Sequence, residues 1–249
     1  MSEASEWIIG KNPVLEALRA ERDINKIMIA EGSNKGQMQQ VLNLAKKGGV
    51  IVQFVPKQKI DQLVSGNHQG IIASVAAYKY AEIDDLFNAA AAKNEDPFFL
   101  ILDEIEDPHN LGSILRTADA SGVHGVIIPK RRAVGLTAVV AKVSTGAIEH
   151  VPVARVTNLA MTIEELKERG LWIAGTDAKG KQDFRQMDAS MPLGIVIGSE
   201  GRGIGRLILE KCDFLLRLPM VGKVTSLNAS VAASLLMYEV YRKRNPIGE

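Results

Sequence analysis

The stretch "IVIGSEGRGIG", residues 195–205, empties an apolar run into four glycines. A strand that ends in glycines is the usual opening of a nucleotide site. A phosphate-cradling loop needs a lysine after the last glycine of its spaced motif. Gly198 and Gly203 have the right separation, but Ile204 stands in that place, so nothing would reach the β- and γ-phosphates. A dinucleotide fingerprint fails as well. Gly201 and Gly203 match its first two positions, the third is Arg206, and residues 214–238 hold no Asp or Glu to bind a ribose. What remains is a tight turn whose glycines permit positive φ. A turn needing only flexibility has no use for Glu200 and Arg202 between them.

Working outward, the second part of the chain alternates apolar strands with helices. Strands are expected at 98–102, 125–128, 151–153, 171–175, 193–197 and 214–218. Helices are expected at 111–120, 136–145, 161–169, 204–211 and 229–243. Continuous apolar strands separated by helices imply an α/β fold with a parallel sheet covered on both faces. Ligands bind such sheets at the carboxyl ends of strands, which directs attention to the loops after Leu102, Ile197 and Leu218. The first part reads as a smaller α/β module, with strands at 26–30, 50–55 and 70–75 and helices after Asn12-Pro13, at 37–47 and at 60–64. The division expected is a module over 1–77, a linker over 78–96 carrying one helix (83–92), and a larger domain over 97–249.

The other two loops share the character of the first. After the strand at 98–102 comes "DEIEDPHNLGSILRTADASG", in which Asp107-Pro108 marks a turn, Asn110 can cap a helix, and Arg116 lies on that helix's second turn. The acids Asp103, Glu104, Glu106 and Asp107 read as shaping the loop. After 214–218 comes "PMVGKVTSLNASVAASLLMYEVYRKR", where Thr225, Ser226 and Asn228 precede a helix apolar around most of its circumference. Such a helix is either deeply buried or an oligomer interface.

Composition narrows the class. The 249 residues carry a net charge of +1, so bulk charge does not point to nucleic acid, although binding needs only a basic face. Lys130-Arg131-Arg132 and Arg242-Lys243-Arg244 are local basic clusters, read as solvated tips unless RNA claims them. The start "MSEASEWIIG" has no leader pattern, and no apolar run is free enough of polar residues to span a membrane. The single cysteine, Cys212, excludes an internal disulfide, suits a cytoplasmic setting, and reads as a core thiol rather than a nucleophile. His68, His109, His124 and His150 lack ligand spacing, so no metal is expected.

With three loops in view, the chain resembles the SpoU/TrmH family of RNA ribose 2′-O-methyltransferases. "NLGSILRTADASG" (110–122), "IVIGSEGRGI" (195–204) and "LPMVGKVTSLNASVAASLLMYE" (218–239) match its three motifs in order. Residues 144–152 are similar to the pattern between the first two, and "IIGKNPVLEAL" and "HQGIIA" resemble the family's substrate-binding domain, of ribosomal L30e type. The match covers nearly the whole chain and is closest to the bacterial branch that methylates a guanosine ribose of 23S rRNA. The resemblance implies a trefoil-knotted (SPOUT) catalytic domain, which topology rules alone would not suggest. It also implies S-adenosylmethionine as cofactor, RNA as partner, and a homodimer through the knotted domain.

The resemblance makes Arg116 the catalytic arginine, with Asn110, Glu200 and Asn228 around it, and places the cofactor against Gly198, Leu218 and Leu227, with Thr176, Met220 and Ser226 nearby. A guanidinium is a poor base because its pKa exceeds about 12. Arg116 is therefore read as holding an RNA phosphate and stabilising the developing alkoxide, with the proton leaving through the phosphate or water. Three alternatives stay open: a tRNA substrate, a non-catalytic RNA-binding protein on the same fold, and a nicotinamide oxidoreductase.

Overall fold

The computed structural model describes residues 7–247, apart from the side chains of Lys35 and Gln37. Residues 1–6, part of the stretch read for a leader, lie outside the described residues. The described residues divide into two compact units, one running to residue 79 and including 135–138, the other running from 80 to 134 and onward from 139.

The first unit holds β1 (Trp7–Ile9), α1 (Lys11–Arg19), β2 (Ile24–Ala30), α2 (Lys35–Lys47), β3 (Val52–Val55), α3 (Lys57–Leu63) and β4 (Ile71–Val75). Its sheet runs β1-β4-β2-β3, with β2 and β3 parallel and the other pairs antiparallel. Side chains alternate across a strand, so β2 supplies both faces. Ile27 and Ile29 pack with Val14 of α1 and Val41 of α2, while Met28 and Ala30 pack with Ile60 of α3. The short strand β1 was not expected.

The second unit holds α4 (Ile83–Lys93), β5 (Phe98–Leu102), α5 (Pro108–Ser121), β6 (Gly125–Pro129), α6 (Ala138–Ser144), β7 (Val153–Val156), α7 (Leu159–Glu168), β8 (Trp172–Thr176), β9 (Gln182–Asp183), β10 (Leu193–Ile197), α8 (Arg206–Leu209), β11 (Phe214–Arg217) and α9 (Ala229–Arg244). Its seven strands are all parallel, in the order β7-β6-β5-β10-β8-β11-β9. The later strand β10 lies between β5 and β8, which brings the loops after β5 and β10 side by side. On one face, Phe99, Ile101, Ile173 and Val196 meet Ile163 and Leu166 of α7 and Ile208 of α8. Leu86 of α4 joins the same core, so the helix in the stretch read as a linker packs into this unit.

Several element boundaries differ from expectation for local reasons. The strand expected at 151–153 begins at Val153, because residues 147–149 form a single 3-10 turn and Pro152 has no N–H for a ladder. The helix expected at 204–211 shrinks to four residues, because Gly205 is extended and Ile204 is buried in the core. The two-residue strand β9 has no sequence signature, and only its pairing with β11 defines it.

Candidate active site

The helix α5 starts three residues earlier than a cap at Asn110 would require. Asp107 is the capping residue, its side chain accepting from His109 N–H at 2.8 Å, and Pro108 takes the first turn. Proline is preorganised for that position and needs no N–H there; the Asp-Pro pair already carried the signal. Asn110 therefore lies inside the first turn with its amide free for other work. Asn228 does cap α9, its Oδ1 accepting from Ser230 N–H at 3.0 Å, Val231 N–H at 3.3 Å and Ser230 Oγ at 2.6 Å.

The glycine segment is a tight hairpin. Ser199 and Gly203 exchange two backbone hydrogen bonds, at 3.1 and 2.9 Å. Gly201 and Gly203 turn with φ of 84° and 70°, which glycine adopts without steric cost. Gly198 serves a different need: a Cβ there would lie 2.1 Å from the Gly203 carbonyl carbon and 2.3 Å from Ile204 N. Its bare Cα lets the hairpin close onto its own strand.

This hairpin carries Glu200 to the other two loops. Asn110 Nδ2 donates to Glu200 Oε1 at 2.9 Å, and Asn228 Nδ2 donates to Asn110 Oδ1 at 2.9 Å and also to Glu200 Oε1. Ala229 N–H adds a third donor to the same oxygen at 3.3 Å. Both amides are thereby oriented, and Oε1 is saturated. Glu200 Oε2 has no partner among the described residues, so the network presents one oriented carboxylate oxygen to whatever enters. The three side chains lie 28, 90 and 118 residues apart in pairs.

Arg116 is not brought into this network. It is exposed on α5, and its side chain makes no hydrogen bond or ion pair among the described residues. Six residues along an α-helix place it about 9 Å further along the axis from Asn110 and roughly 120° around it. The neighbouring Thr117 instead meets Ser234 of α9, hydroxyl to hydroxyl at 3.1 Å. The apolar neighbours Ile114, Leu115 and Ala118 are buried in the fold.

The residues singled out for a cofactor fall on β8 or in the segments that follow β10 and β11. Thr176 closes β8, its hydroxyl donating to Val196 O at 3.3 Å. Leu218 and Leu227 are half-buried, whereas Met220 and Ser226 are exposed. Residues 219–227 make no backbone–backbone hydrogen bonds among the described residues. Their peptide groups are open to a ligand. Groups of His, Cys, Asp and Glu able to hold a metal do not occur among the described residues.

The acids after β5 also act on the hairpin. Asp103 is buried, and its Oδ2 accepts from Gly205 N–H at 2.7 Å. Burial pushes its carboxyl above the usual range, partly offset by the Gly205 bond. Glu104 pairs with Arg132 at 2.8 Å and with Arg202 at 3.8 Å. The sequence marked these acids only as loop-shaping and did not reveal their grip on the glycine loop. The second basic cluster is in part turned onto the fold. Arg242 bonds Glu239 through two nitrogens, Lys243 donates to Met187 O, and Arg244 donates to the carbonyls of Asp96, Ala189 and Met191. Lys243 and Arg244 thus hold the fold, whereas Arg242 pairs within its own helix and Arg131 and Arg132 are exposed.

The fold and site define a parallel α/β domain with a polar network built at strand carboxyl ends, preceded in the chain by a smaller α/β unit. The chain belongs to the SpoU rRNA methylase family, whose profile matches residues 97–238; the profile for RNA 2′-O ribose methyltransferase substrate binding matches residues 7–81. A Bacillus subtilis (strain 168) protein, named provisionally as the TrmH family tRNA/rRNA methyltransferase YacO, is 68% identical over the full length of both chains. Among solved structures, an AdoMet-bound rRNA methyltransferase from Sinorhizobium meliloti is similar with a TM-score of 0.59 and 25% identity, covering 95% of this chain and 86% of its own. The A. aeolicus TrmH/SpoU tRNA modifying enzyme has a TM-score of 0.55 and 28% identity, covering 65% of this chain and 83% of its own. The family is one of methyltransferases acting on RNA, so the nicotinamide oxidoreductase reading is set aside. No described helix is long and apolar enough to cross a membrane.

Proposed function

We propose that this protein transfers the methyl group of S-adenosylmethionine to a ribose 2′-hydroxyl in RNA, with a guanosine of 23S rRNA as the target. The observation that carries this reading is the joining of Asn110, Glu200 and Asn228 into one hydrogen-bonded network. A protein that merely bound RNA would have no need of a carboxylate oriented by three donors. S-adenosylmethionine supplies an activated methyl group for in-line displacement. The open peptide groups of residues 219–227 fit an adenosyl ligand, with Gly198, Leu218, Leu227, Thr176, Met220 and Ser226 as its surroundings.

The chain's own work is to orient the hydroxyl, remove its proton and steady the charge that develops. Glu200 Oε2 is the free acceptor of the network and is read as orienting the 2′-hydroxyl. Arg116, unpartnered and exposed, is suited to hold the adjacent RNA phosphate and stabilise the alkoxide. Proton removal then runs through that phosphate or water.

Further parts of the reading concern assembly. The catalytic unit is proposed to be a trefoil-knotted domain and the first unit an L30e-like RNA-binding domain, in a cytoplasmic homodimer. Dimerisation is supported by α9, which buries Leu236, Met237 and Val240 yet exposes Val231, Leu235, Tyr238 and Tyr241. A tRNA target is the second reading, favoured by the name of the A. aeolicus structure.

Tritiated methyl transfer to rRNA and, in parallel, tRNA from cells lacking the protein tests the activity. Mapping the product nucleotide identifies the target. Transfer to rRNA is expected; transfer to neither RNA refutes the reading. Arg116→Lys retaining near-full activity would remove the role given to an arginine.

A further inference from the structure

The loop after β5 grips the glycine hairpin at two points with two adjacent acids. Glu104 reaches Arg202 at 3.8 Å, and Asp103 takes Gly205 N–H at 2.7 Å. The two contacts differ in kind. Arg202 is 84% exposed, so its pair with Glu104 is a solvent-screened tether of little weight. Asp103 is buried at the end of a central strand, and its own N–H continues the β5–β10 pairing by donating to Ile197 O at 2.8 Å. It therefore holds both ends of residues 197–205, the first through its main chain and the last through its side chain. Glu200 stands between those ends and reaches across to Asn110 and Asn228.

A buried carboxylate is a costly way to satisfy one N–H, because burial opposes its ionisation. An ordinary loop closure would be served by water or an uncharged side chain. We propose that Asp103 is a positioning residue for the methyl transfer: through Gly205 it fixes the register of the hairpin and so the place of Glu200. The inference rests on the function proposed above. Ile204, buried in the core, keeps the loop attached when Asp103 is lost, so the consequence is a shift of Glu200 rather than unfolding. A misplacement near 1 Å at a reacting group costs about 100-fold in rate.

Two measurements test this on the full chain. Hydrogen exchange of residues 198–205 is expected to quicken in Asp103→Ala and to stay near wild type in Asp103→Asn, whose side-chain oxygen can still accept from Gly205. Unchanged exchange in Asp103→Ala overturns the proposal whatever the enzyme does. The second measurement is a double-mutant cycle in methyl transfer to rRNA from cells lacking the protein. Asp103→Ala is expected to lower kcat about 100-fold with KM for RNA unchanged. In a Glu200→Gln background it should cost less than about threefold more, the non-additivity of residues acting as a unit. Additive losses, or a loss confined to KM, overturn it. If the wild-type protein transfers no methyl group, the functional reading fails, and the exchange arm alone decides whether Asp103 holds the loop.

Discussion

Replacing Gly198 by alanine tests how the hairpin is seated. The new Cβ would meet the Gly203 carbonyl carbon at 2.1 Å and Ile204 N at 2.3 Å, where ordinary contact begins at 3.4 Å. Both neighbours are backbone, so no side chain can rotate away, and the hairpin must retreat by about 1.3 Å. That retreat strains the Ser199–Gly203 pair and pulls Ile204 from its core position. Overpacking of this kind costs about 3 kcal/mol, or a fall of about 6–12 °C in the melting midpoint for a chain of this size. Gly201→Ala provides the control. Nothing lies within 4 Å of its Cβ position, so only the left-handed backbone opposes it, at about 1 kcal/mol. Calorimetry on the two variants, with methyl transfer measured alongside, should find Gly198→Ala much the less stable and slowed about 100-fold. Equal melting points for the two, or a Gly198→Ala protein of wild-type stability and rate, would refute the argument from close approach.

Arg244→Ala leaves the carbonyls of Asp96, Ala189 and Met191 without their donor. Thermal melting should reveal a loss of about 3 kcal/mol, with RNA affinity at fixed salt unchanged because the side chain faces the fold. The Cys212 thiol, pushed up to about 12 by burial, should resist iodoacetamide at about pH 8 in the native protein and react once unfolded. Mass spectrometry of the alkylated chain reads this directly. Arg185 holds the Asp183 carboxyl down to about 2 from the ordinary 3.8. A depressed carboxylate contributes stability above its ordinary pKa and loses it as pH falls toward 2. Carbon-detected NMR titration should return Asp183 toward 3.8 in Arg185→Ala.

Much of the second unit was legible because its strands are apolar runs bounded by turn residues. The ranges 98–102 and 193–197 coincide with β5 and β10. Elements without a local pattern were not legible. The strand β9 exists through its partner, and β1 is a three-residue edge defined by pairing with β4. At the site, the residue types in the three loops drew attention to Asn110, Glu200 and Asn228 before their meeting was visible. Asp103 escaped notice because an acid beside Glu104, Glu106 and Asp107 looks like one more turn residue. Only its bond to Gly205, 102 residues away, distinguishes it.

By itself, the sequence determined the class of fold, the three loops that matter and the family to which the chain belongs. These are properties of short windows: apolar periodicity, glycines at a strand end, a proline at a helix start. The tertiary structure decided which side chains meet. Placing β10 between β5 and β8 sets the glycine hairpin against the starts of α5 and α9, so that one carboxylate gathers two amides from distant loops. It also left Arg116 outside that network and turned Lys243 and Arg244 inward onto carbonyls. Strand order is a long-range choice made by the whole core, and no window of neighbouring residues encodes it.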